Sequence, residues 1–320
     1  MRAEAKRAWV ASVLGHAAEI RPLAGDASFR SYDRVHLTDK TWVLMDAPPG
    51  KEDVRPFLKV REWLEARSVR VPHLLARDED QGFLLLEDFG DISWAAYVKS
   101  GGALEALFHD ALRQLHALQE DAPDFTLPAF DMARMRTECD LYLDWHLPRV
   151  AGHAPSEEER GAFHDGLTPV LDEIAALPRV PVHLDYHSRN LMLPGGELPL
   201  GVIDFQDAVT GPVTYDLASL LYDCYQDYPE TERRRWSKVF FEQLRPELTE
   251  VLNGFEEWHR HVRLTALQRH IKAIGIFARL AYRDGKRQFL DEIPLTRKHL
   301  RDELQALKLE AHPLLLQEPD

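Results

Sequence analysis

The segment 183–190 reads His183-Leu184-Asp185-Tyr186-His187-Ser188-Arg189-Asn190. It has the spacing H-x-D-x-x-x-x-N, and Ile203-Asp204-Phe205 follows it along the chain. In phosphate-transferring enzymes a loop of this kind supplies an aspartate that orients the acceptor hydroxyl and an asparagine that binds Mg²⁺, and a second aspartate followed by phenylalanine also binds Mg²⁺. The sequence therefore predicts Asp185 as general base and Asn190 and Asp204 as Mg²⁺ ligands in an ATP-dependent reaction.

A short β-hairpin is predicted between these two motifs. Pro194-Gly195-Gly196-Glu197 is a turn signature, and the apolar stretches 190–193 and 200–203 flank it. Such a hairpin would hold Asn190 beside Asp204. A tiny sheet that presents oxygen ligands is better explained by a metal site than by packing.

Other side chains of the loop leave alternatives open. His187 either donates a hydrogen bond to a γ-phosphate oxygen or braces the loop, and it is a candidate catalytic residue beside Asp185. Arg189 either contacts phosphate or substrate, as a candidate substrate-binding residue, or faces solvent. His183 is expected to fix the loop backbone.

The surrounding sequence predicts the fold class. Two β-rich segments, 29–37 and 41–47, precede a helix over 56–67 and an apolar strand over 82–87. After Gly90 a 3.6-residue period dominates. We predict an α+β, bilobal protein-kinase-like fold. Its small N-terminal β-sheet lobe with a helix, residues 1–90, would bind nucleotide, and its larger, mainly helical C-terminal lobe, residues 91–320, would carry catalysis and substrate binding.

Composition narrows the partners and the location. The formal charge of -14 repels nucleic acid and anionic lipid, so the expected partner is a small molecule, with no nucleic acid and no membrane. Glu4 interrupts the basic N-terminus that resembles a signal peptide, which favours an amphipathic first helix. Cys139 and Cys224 lack metal-type spacing, Cys224 falls on an apolar helical stripe, and both are predicted to be reduced structural thiols. A cytoplasmic monomer or homodimer is expected.

A family resemblance extends from the catalytic loop into the next segment. Residues 203–217 read Ile203-Asp204-Phe205-Gln206-Asp207-Ala208-Val209-Thr210-Gly211-Pro212-Val213-Thr214-Tyr215-Asp216-Leu217. Together with the loop, this segment resembles the aminoglycoside phosphotransferase and choline kinase superfamily. By that resemblance Asp216 is structural: it opens a helix and tethers the catalytic loop. Its position suits an acid in the first turn.

Three segments are closer to one branch, the bacterial anomeric kinases that phosphorylate the C1 hydroxyl of N-acetylmuramate and N-acetylglucosamine in cell-wall recycling. They are Gly25-Asp26-Ala27-Ser28-Phe29-Arg30, Met45-Asp46-Ala47-Pro48-Pro49 and Tyr186-His187-Ser188-Arg189-Asn190. The resemblance implies ATP and Mg²⁺ as cofactors. It makes the first segment a phosphate loop, with the cofactor-binding candidates Ser28, Phe29 and Arg30. It also makes 86–90 a hinge whose main chain pairs with adenine near Glu87 and Phe89, and the alternative is a buried strand end.

One position departs from the kinase pattern. Kinases usually offer a lysine from the third strand to the α- and β-phosphates, but segment 41–47 contains none and Val43-Leu44-Met45 occupies the place. The cations that could substitute are Lys40, Lys51, Arg30 and Arg34. A nucleotide-binding pseudokinase is therefore an alternative hypothesis.

The acceptor site is expected in the helical part of the chain. Segment 137–146 combines acids and aromatics at helical spacing, and Glu138, Tyr142 and Trp145 are the candidate substrate-binding residues. An amphipathic helix with buried aromatics explains the same letters. The main hypothesis is an amino-sugar C1 kinase, and the alternative is a kinase for a cationic small molecule of the aminoglycoside or choline type. A cation placed for a lactyl carboxylate would favour the first, and a cage of acids or aromatics the second.

Overall fold

Residues 2–23 and 29–317 are described by the computed structural model, and they divide into two units. Unit 1 comprises the described residues up to Gly102 together with 190–206, and unit 2 comprises 103–189 and 207–317. The predicted lobe boundary at Gly90 differs from this division at two places. Residues 91–102 belong to unit 1, and so does the segment 190–206, although unit 2 flanks it in sequence.

The strands are β1 (Glu19–Pro22), β2 (Ser31–His36), β3 (Thr41–Asp46), β4 (Leu74–Asp78), β5 (Phe83–Glu87), β6 (Arg179–Val182), β7 (Leu191–Met192), β8 (Gly201–Val202) and β9 (Val209–Pro212). The α-helices are α1 (Arg2–Leu14), α2 (Arg55–Ala66), α3 (Trp94–Lys99), α4 (Glu105–Glu120), α5 (Met132–Leu141), α6 (Leu147–Arg149), α7 (Glu157–Ala175), α8 (Tyr215–Leu221), α9 (Glu230–Phe241), α10 (Pro246–Val251), α11 (Phe255–Tyr282), α12 (Ile293–Leu307) and α13 (Pro313–Leu316). A π-helical turn spans Tyr142–His146 between α5 and α6. Among these helices of the described ranges, none is long and apolar enough to cross a membrane.

Unit 1 is built on an antiparallel sheet with the strand order β1-β2-β3-β5-β4. The predictions of β2, β3, β5 and the helix α2 are confirmed. The edge strands β1 and β4 were not predicted, because their residues are exposed or half-buried and carry no apolar signal.

Successive side chains of β3 point to opposite faces of this sheet, and the two faces have different neighbours. On one face, Leu44 packs with Trp9 and Val10 of α1, so the expected N-terminal helix is confirmed and covers the sheet. On the other face, Val43 lines a cleft. Met45 has the same orientation as Val43 by strand alternation and is fully buried.

Unit 2 is organised around α11, which packs against α5, the π-helical turn, α8 and α12. A two-stranded sheet of β6 and β9 lies in the same unit. Helix α8 ends at Leu221, so the prediction that Cys224 lies on its apolar stripe is wrong. Cys139 and Cys224 are both buried and unbridged.

Gly275 lets α11 approach the end of α5 closely. A Cβ atom there would lie 2.3 Å from the carbonyl carbon of Leu141. We expect Gly275→Ala to lower the free energy of unfolding by roughly 1–3 kcal/mol, because the obstacle is backbone and cannot move aside. The matched control is Gly161→Ala within α7, where a Cβ meets open space and better helix propensity raises stability slightly. Thermal melting of the two variants checks this, and equal melting temperatures would contradict it.

Helices α11 and α12 also enclose an acid. Glu303 and His270 are fully buried, with Glu303 Oε2 2.9 Å from His270 Nδ1. Burial raises the pKa of Glu303 to about 8 and lowers the pKa of His270 to about 3, so at neutral pH the pair is a carboxylic acid beside a neutral imidazole.

This pair predicts a pH dependence of stability. An acid whose folded-state pKa is raised holds its proton more tightly when folded, so its contribution to stability is lost as the pH rises from about 4.5 towards 8. Glu303→Gln keeps the shape and cannot ionise. We expect its melting temperature, relative to the unaltered protein, to increase between pH 5 and pH 8, whereas Glu250→Gln at an exposed position leaves the pH profile unchanged. Parallel profiles for Glu303→Gln and the unaltered protein would refute the assignment.

Candidate active site

Unit 1 contains a cleft of about 460 Å³ between the inner sheet face and the segment 190–206. Its volume lies in the range of small-molecule sites. The apolar lining residues include Leu23, Val43, Leu86, Met192 and Ile203, and the polar ones include Asn190, Asp204 and Gln206. A cleft with an apolar wall and oxygen ligands at one side can take a flat heterocycle and a charged tail.

The hairpin β7–β8 holds the two predicted metal ligands together. Leu191 pairs with Val202, and the amide of Ile203 donates to the carbonyl of Asn190 at 3.1 Å. As a result Asn190 Nδ2 lies 3.5 Å from Asp204 Oδ2, which confirms the predicted juxtaposition. Asp204 is exposed and has φ of 64°, a left-handed conformation that aspartate tolerates better than most residues.

The donor set of this pair fits Mg²⁺. A carboxylate and an amide oxygen are hard ligands, and Mg²⁺ in nucleotide sites uses one or two protein oxygens and completes its shell with phosphate and water. Gln206 Nε2 donates to Asp204 Oδ1 at 2.9 Å and orients the carboxylate. Phe205 is buried and packs against Phe57, with ring centroids 4.8 Å apart and the rings tilted by 35°, which anchors the segment. Gln206 and Phe57 were not predicted as supports of this site.

The predicted hinge residues are held by one cation. Arg70 forms an ion pair with Glu87 and lies 4.9 Å from the ring centre of Phe89. Burial alone would raise the pKa of Glu87, but hydrogen bonds from Arg70 and the His73 amide outweigh it and lower the pKa. The amide of Glu87 itself donates to the carbonyl of His73 at 2.8 Å. The side chains of Glu87 and Phe89 therefore form part of the cleft wall. Adenine pairing by the hinge main chain stays a prediction.

The cations that were expected to replace the missing lysine have other neighbours. Arg34 lines the cleft but binds Asp88 at 2.6 Å and Asp91 at 2.9 Å, so it serves the hinge. Lys40 lies over the ring of Trp42. Lys51 lies over Phe29.

The predicted phosphate loop is only partly described. Phe29 is 64% exposed, and its amide donates to Glu52 at 3.2 Å. Arg30 is half-exposed. Ser28, with the segment 24–27, lies outside the described residues. The three cofactor-binding assignments stay predictions.

In unit 2 two buried aspartates hold the catalytic loop. Asp216 accepts hydrogen bonds from the amides of His183 and Leu184 at 2.7 and 3.0 Å, which confirms that it tethers the loop. Burial raises the pKa of Asp216 to about 6. Asp223 accepts from the amide of Ser188 at 2.8 Å at the other end of the loop. Asp223 was not predicted, because it lies beyond the end of α8 at Leu221 and matches no motif.

Asp185 is presented by this tethered loop. Its amide donates to His183 Nδ1 at 3.2 Å, so His183 fixes the loop backbone as expected. Burial would raise the pKa of Asp185, but the positive charge of Lys272, assisted by His187, lowers it overall. The residue is therefore a carboxylate at neutral pH and can accept a hydrogen bond from a hydroxyl group.

Two predicted residues of the loop, His187 and Arg189, contact the same aromatic ring. His187 contacts the ring of Tyr225 edge to face at 5.2 Å, and Arg189 lies 3.7 Å above the same ring and pairs with Glu292. Trp145 is half-exposed on the π-helical turn.

Tyr142 has a different environment from the one expected of a ligand residue. It is fully buried, and its hydroxyl donates to the carbonyl of Leu314 at 2.9 Å. Its ring stacks on His146. Because no ring face is left for a sugar, we exclude Tyr142 from the acceptor site.

Glu138 lies in a polar cluster. Lys272 Nζ is 3.2 Å from Glu138 Oε1, Gln268 donates to Oε2 at 3.3 Å, and Arg134 is 3.5 Å from Oε1. Lys272 also donates to the hydroxyl of Tyr215 at 3.3 Å. Lys272 was not predicted from the sequence, because it lies on a helix that is far along the chain from both Glu138 and Asp185.

Comparisons with known proteins agree with this geometry. The family model described as "Phosphotransferase enzyme family" matches residues 19–255. An N-acetylmuramate/N-acetylglucosamine kinase of Pseudomonas aeruginosa is 41% identical over 282 residues, which cover 87% of this chain and 81% of that protein. A protein of the same name from Neisseria meningitidis is 37% identical, with 87% and 83% covered.

Solved structures support the fold. Choline kinase LicA from Streptococcus pneumoniae has a TM-score of 0.64 at 14% identity, covering 93% of this chain and 98% of that one. Aminoglycoside phosphotransferase APH(4)-Ia has a TM-score of 0.58 at 13% identity, with 95% and 99% covered. The predicted α+β, kinase-like fold is confirmed.

Proposed function

The chain belongs to the phosphotransferase enzyme family, and from that premise we propose that it transfers the γ-phosphoryl group of ATP to the C1 hydroxyl of N-acetylmuramate and N-acetylglucosamine. The observation that carries phosphoryl transfer is the Asn190–Asp204 pair on its hairpin. The acceptor is supported by relatives named N-acetylmuramate/N-acetylglucosamine kinase at 37–41% identity over 87% of the chain. This activity belongs to peptidoglycan recycling, and the cytoplasm, which supplies ATP, is the proposed location.

On the nucleotide side, the residues of unit 1 bind ATP and orient it. The cleft takes the adenine against Val43 and Leu86. Asn190 and Asp204 would hold Mg²⁺, which would supply charge neutralisation to the phosphate groups. Gln206 keeps the Asp204 carboxylate in place.

On the acceptor side, Asp185 accepts a hydrogen bond from the sugar hydroxyl and aligns its oxygen with the γ-phosphorus. The new bond joins that oxygen to phosphorus, the bond from the γ-phosphorus to the β–γ bridging oxygen breaks, and ADP leaves. The hydroxyl proton moves to Asp185, whose lowered pKa returns it to water. Asp216 and Asp223 keep the loop fixed throughout.

A substrate screen tests the proposal. The protein is incubated with Mg-ATP and a panel of sugars and amino alcohols that includes choline and an aminoglycoside, and phosphorylated products are identified by mass spectrometry and ³¹P NMR. We expect a sugar 1-phosphate from both N-acetyl sugars. Phosphorylated choline or aminoglycoside would support the cationic alternative, and nucleotide binding without any phosphorylated acceptor would support a pseudokinase.

A further inference from the structure

Helix α11 carries a cation, Lys272, that acts electrostatically on the proposed base Asp185. Lys272 Nζ lies 3.2 Å from Glu138 and 3.3 Å from the Tyr215 hydroxyl, so the ammonium group is held in place, and the side chain as a whole is 13% exposed. Tyr215 directly precedes Asp216, which holds the loop that presents Asp185. These contacts connect Lys272, through Tyr215, to the segment that holds the catalytic loop.

We propose that Lys272 is a specificity-determining residue that binds a carboxylate of the acceptor and so favours N-acetylmuramate, whose lactyl group is anionic, over N-acetylglucosamine. The inference rests on the proposed function and names the feature of the substrate that this site selects.

The charges around Lys272 favour an anionic ligand. Glu138 does not depend on Lys272 alone, because Gln268 and Arg134 also contact its carboxylate. Among the described residues, the two contacts of Lys272 use two of the three N–H groups of an ammonium, which leaves one for a ligand.

Arg269 strengthens this field. Its side chain is 7% exposed, and its Nε and Nη1 atoms have no hydrogen-bond partner within the described parts of the chain. A buried guanidinium with unpaired donors adds a second positive group on the same helix as Lys272, although Asp185 and Asp223 also act on Arg269. A cationic acceptor such as choline would place a second ammonium against these two groups, which is unfavourable.

The lowered pKa of Asp185 agrees with this arrangement, since Lys272 is the strongest positive charge acting on it. Burial by itself would lower the pKa of Lys272, but Glu138, Tyr215 and Asp185 outweigh that effect and raise it. The side chain therefore carries its positive charge over the whole working range of pH.

Two other roles of Lys272 predict different behaviour. If it only positioned Asp185, or if it touched the transferred phosphate, both sugars would lose activity together when it is replaced. A contact to the lactyl carboxylate affects only the sugar that has one. The ratio of the two kcat/KM values separates these roles.

The experiment combines a variant with a modified substrate. The unaltered enzyme and Lys272→Met are each assayed with N-acetylmuramate, its methyl ester and N-acetylglucosamine. Because Lys272 also supports the charge of Asp185, Lys272→Met should lower kcat for all three sugars to a similar degree. We expect kcat/KM for N-acetylmuramate to fall by roughly a further tenfold to a hundredfold beyond that common loss, mainly through KM. Esterification should lower kcat/KM of the unaltered enzyme by about this further factor, and should not lower the value for Lys272→Met.

Controls keep the outcome decisive. Lys298→Met removes an exposed lysine paired with Asp227 on α12 and should change none of the three values. Lys272→Arg keeps the charge and should retain the preference for N-acetylmuramate. Equal losses on all three sugars, or indifference of the unaltered enzyme to esterification, overturn the proposal; the second readout needs no variant to fold. An unaltered enzyme inactive on every sugar would instead contradict the proposed function.

Discussion

Asp185→Asn is expected to reduce kcat by roughly 10²–10⁴ while KM for ATP stays nearly unchanged. Asparagine has almost the shape of aspartate but cannot take the hydroxyl proton, and its amide nitrogen would point a donor at a group that must itself donate. The loop should keep its conformation, because Asp216 and Asp223 hold its backbone through their own carboxylates. Steady-state kinetics with N-acetylmuramate measure the effect.

The comparison for this variant is Asp165→Asn, the same change at an exposed position of α7. It should be indistinguishable from the unaltered enzyme. Nucleotide binding by Asp185→Asn, followed by calorimetry, should also be normal. Retention of more than a tenth of kcat by Asp185→Asn would remove it from the role of general base.

Asp204→Asn should be nearly as damaging, and for a different reason. Asparagine accepts the left-handed backbone that Asp204 adopts, so the hairpin is preserved while a charged ligand of the metal is lost. We expect kcat/KM for ATP to fall by about two to three orders of magnitude, because the metal supplies several kcal/mol of charge stabilisation. The Mg²⁺ concentration for half-maximal activity should rise in parallel.

A binding measurement makes this second prediction independent of turnover. Mg²⁺ with a non-hydrolysable ATP analogue should raise the melting temperature of the unaltered enzyme, and the increase should vanish for Asp204→Asn. Gln206→Ala, which removes the hydrogen bond to Asp204 Oδ1, should lower Mg²⁺ affinity by roughly tenfold to a hundredfold. A full stabilisation of Asp204→Asn by Mg²⁺ would show that the ion is bound elsewhere.

Local sequence signals predicted much of the fold. The buried strand β5 was predicted from its run of apolar residues. The hairpin that joins Asn190 to Asp204 was predicted from its turn residues. Strands β1 and β4 were not, since edge strands with exposed side chains lack a periodic apolar pattern.

The acceptor site was less accessible to sequence reasoning. Tyr142 was predicted from helical spacing, but its side chain is fully buried and its hydroxyl donates to the carbonyl of Leu314. Lys272 and Asp223 join the site through tertiary contacts with residues far away in the chain, and no spacing rule signals such contacts. Sequence motifs thus predicted the chemistry of the loop, and the tertiary structure was needed for the residues around it.

The division of the chain has a consequence for recombination between relatives. A single crossover at Gly102 would transfer the five-stranded sheet without the segment 190–206, which contains both proposed metal ligands. In the hybrid, the Val202 amide of the recipient would have to donate to the Arg70 carbonyl of the other parent. Phe205 of the recipient would likewise have to pack against Phe57 of the other parent. Natural or designed hybrids should therefore fold and bind the metal only when residues up to 102 and residues 190–206 come from the same parent. Two separate stretches of the gene thus have to be inherited together.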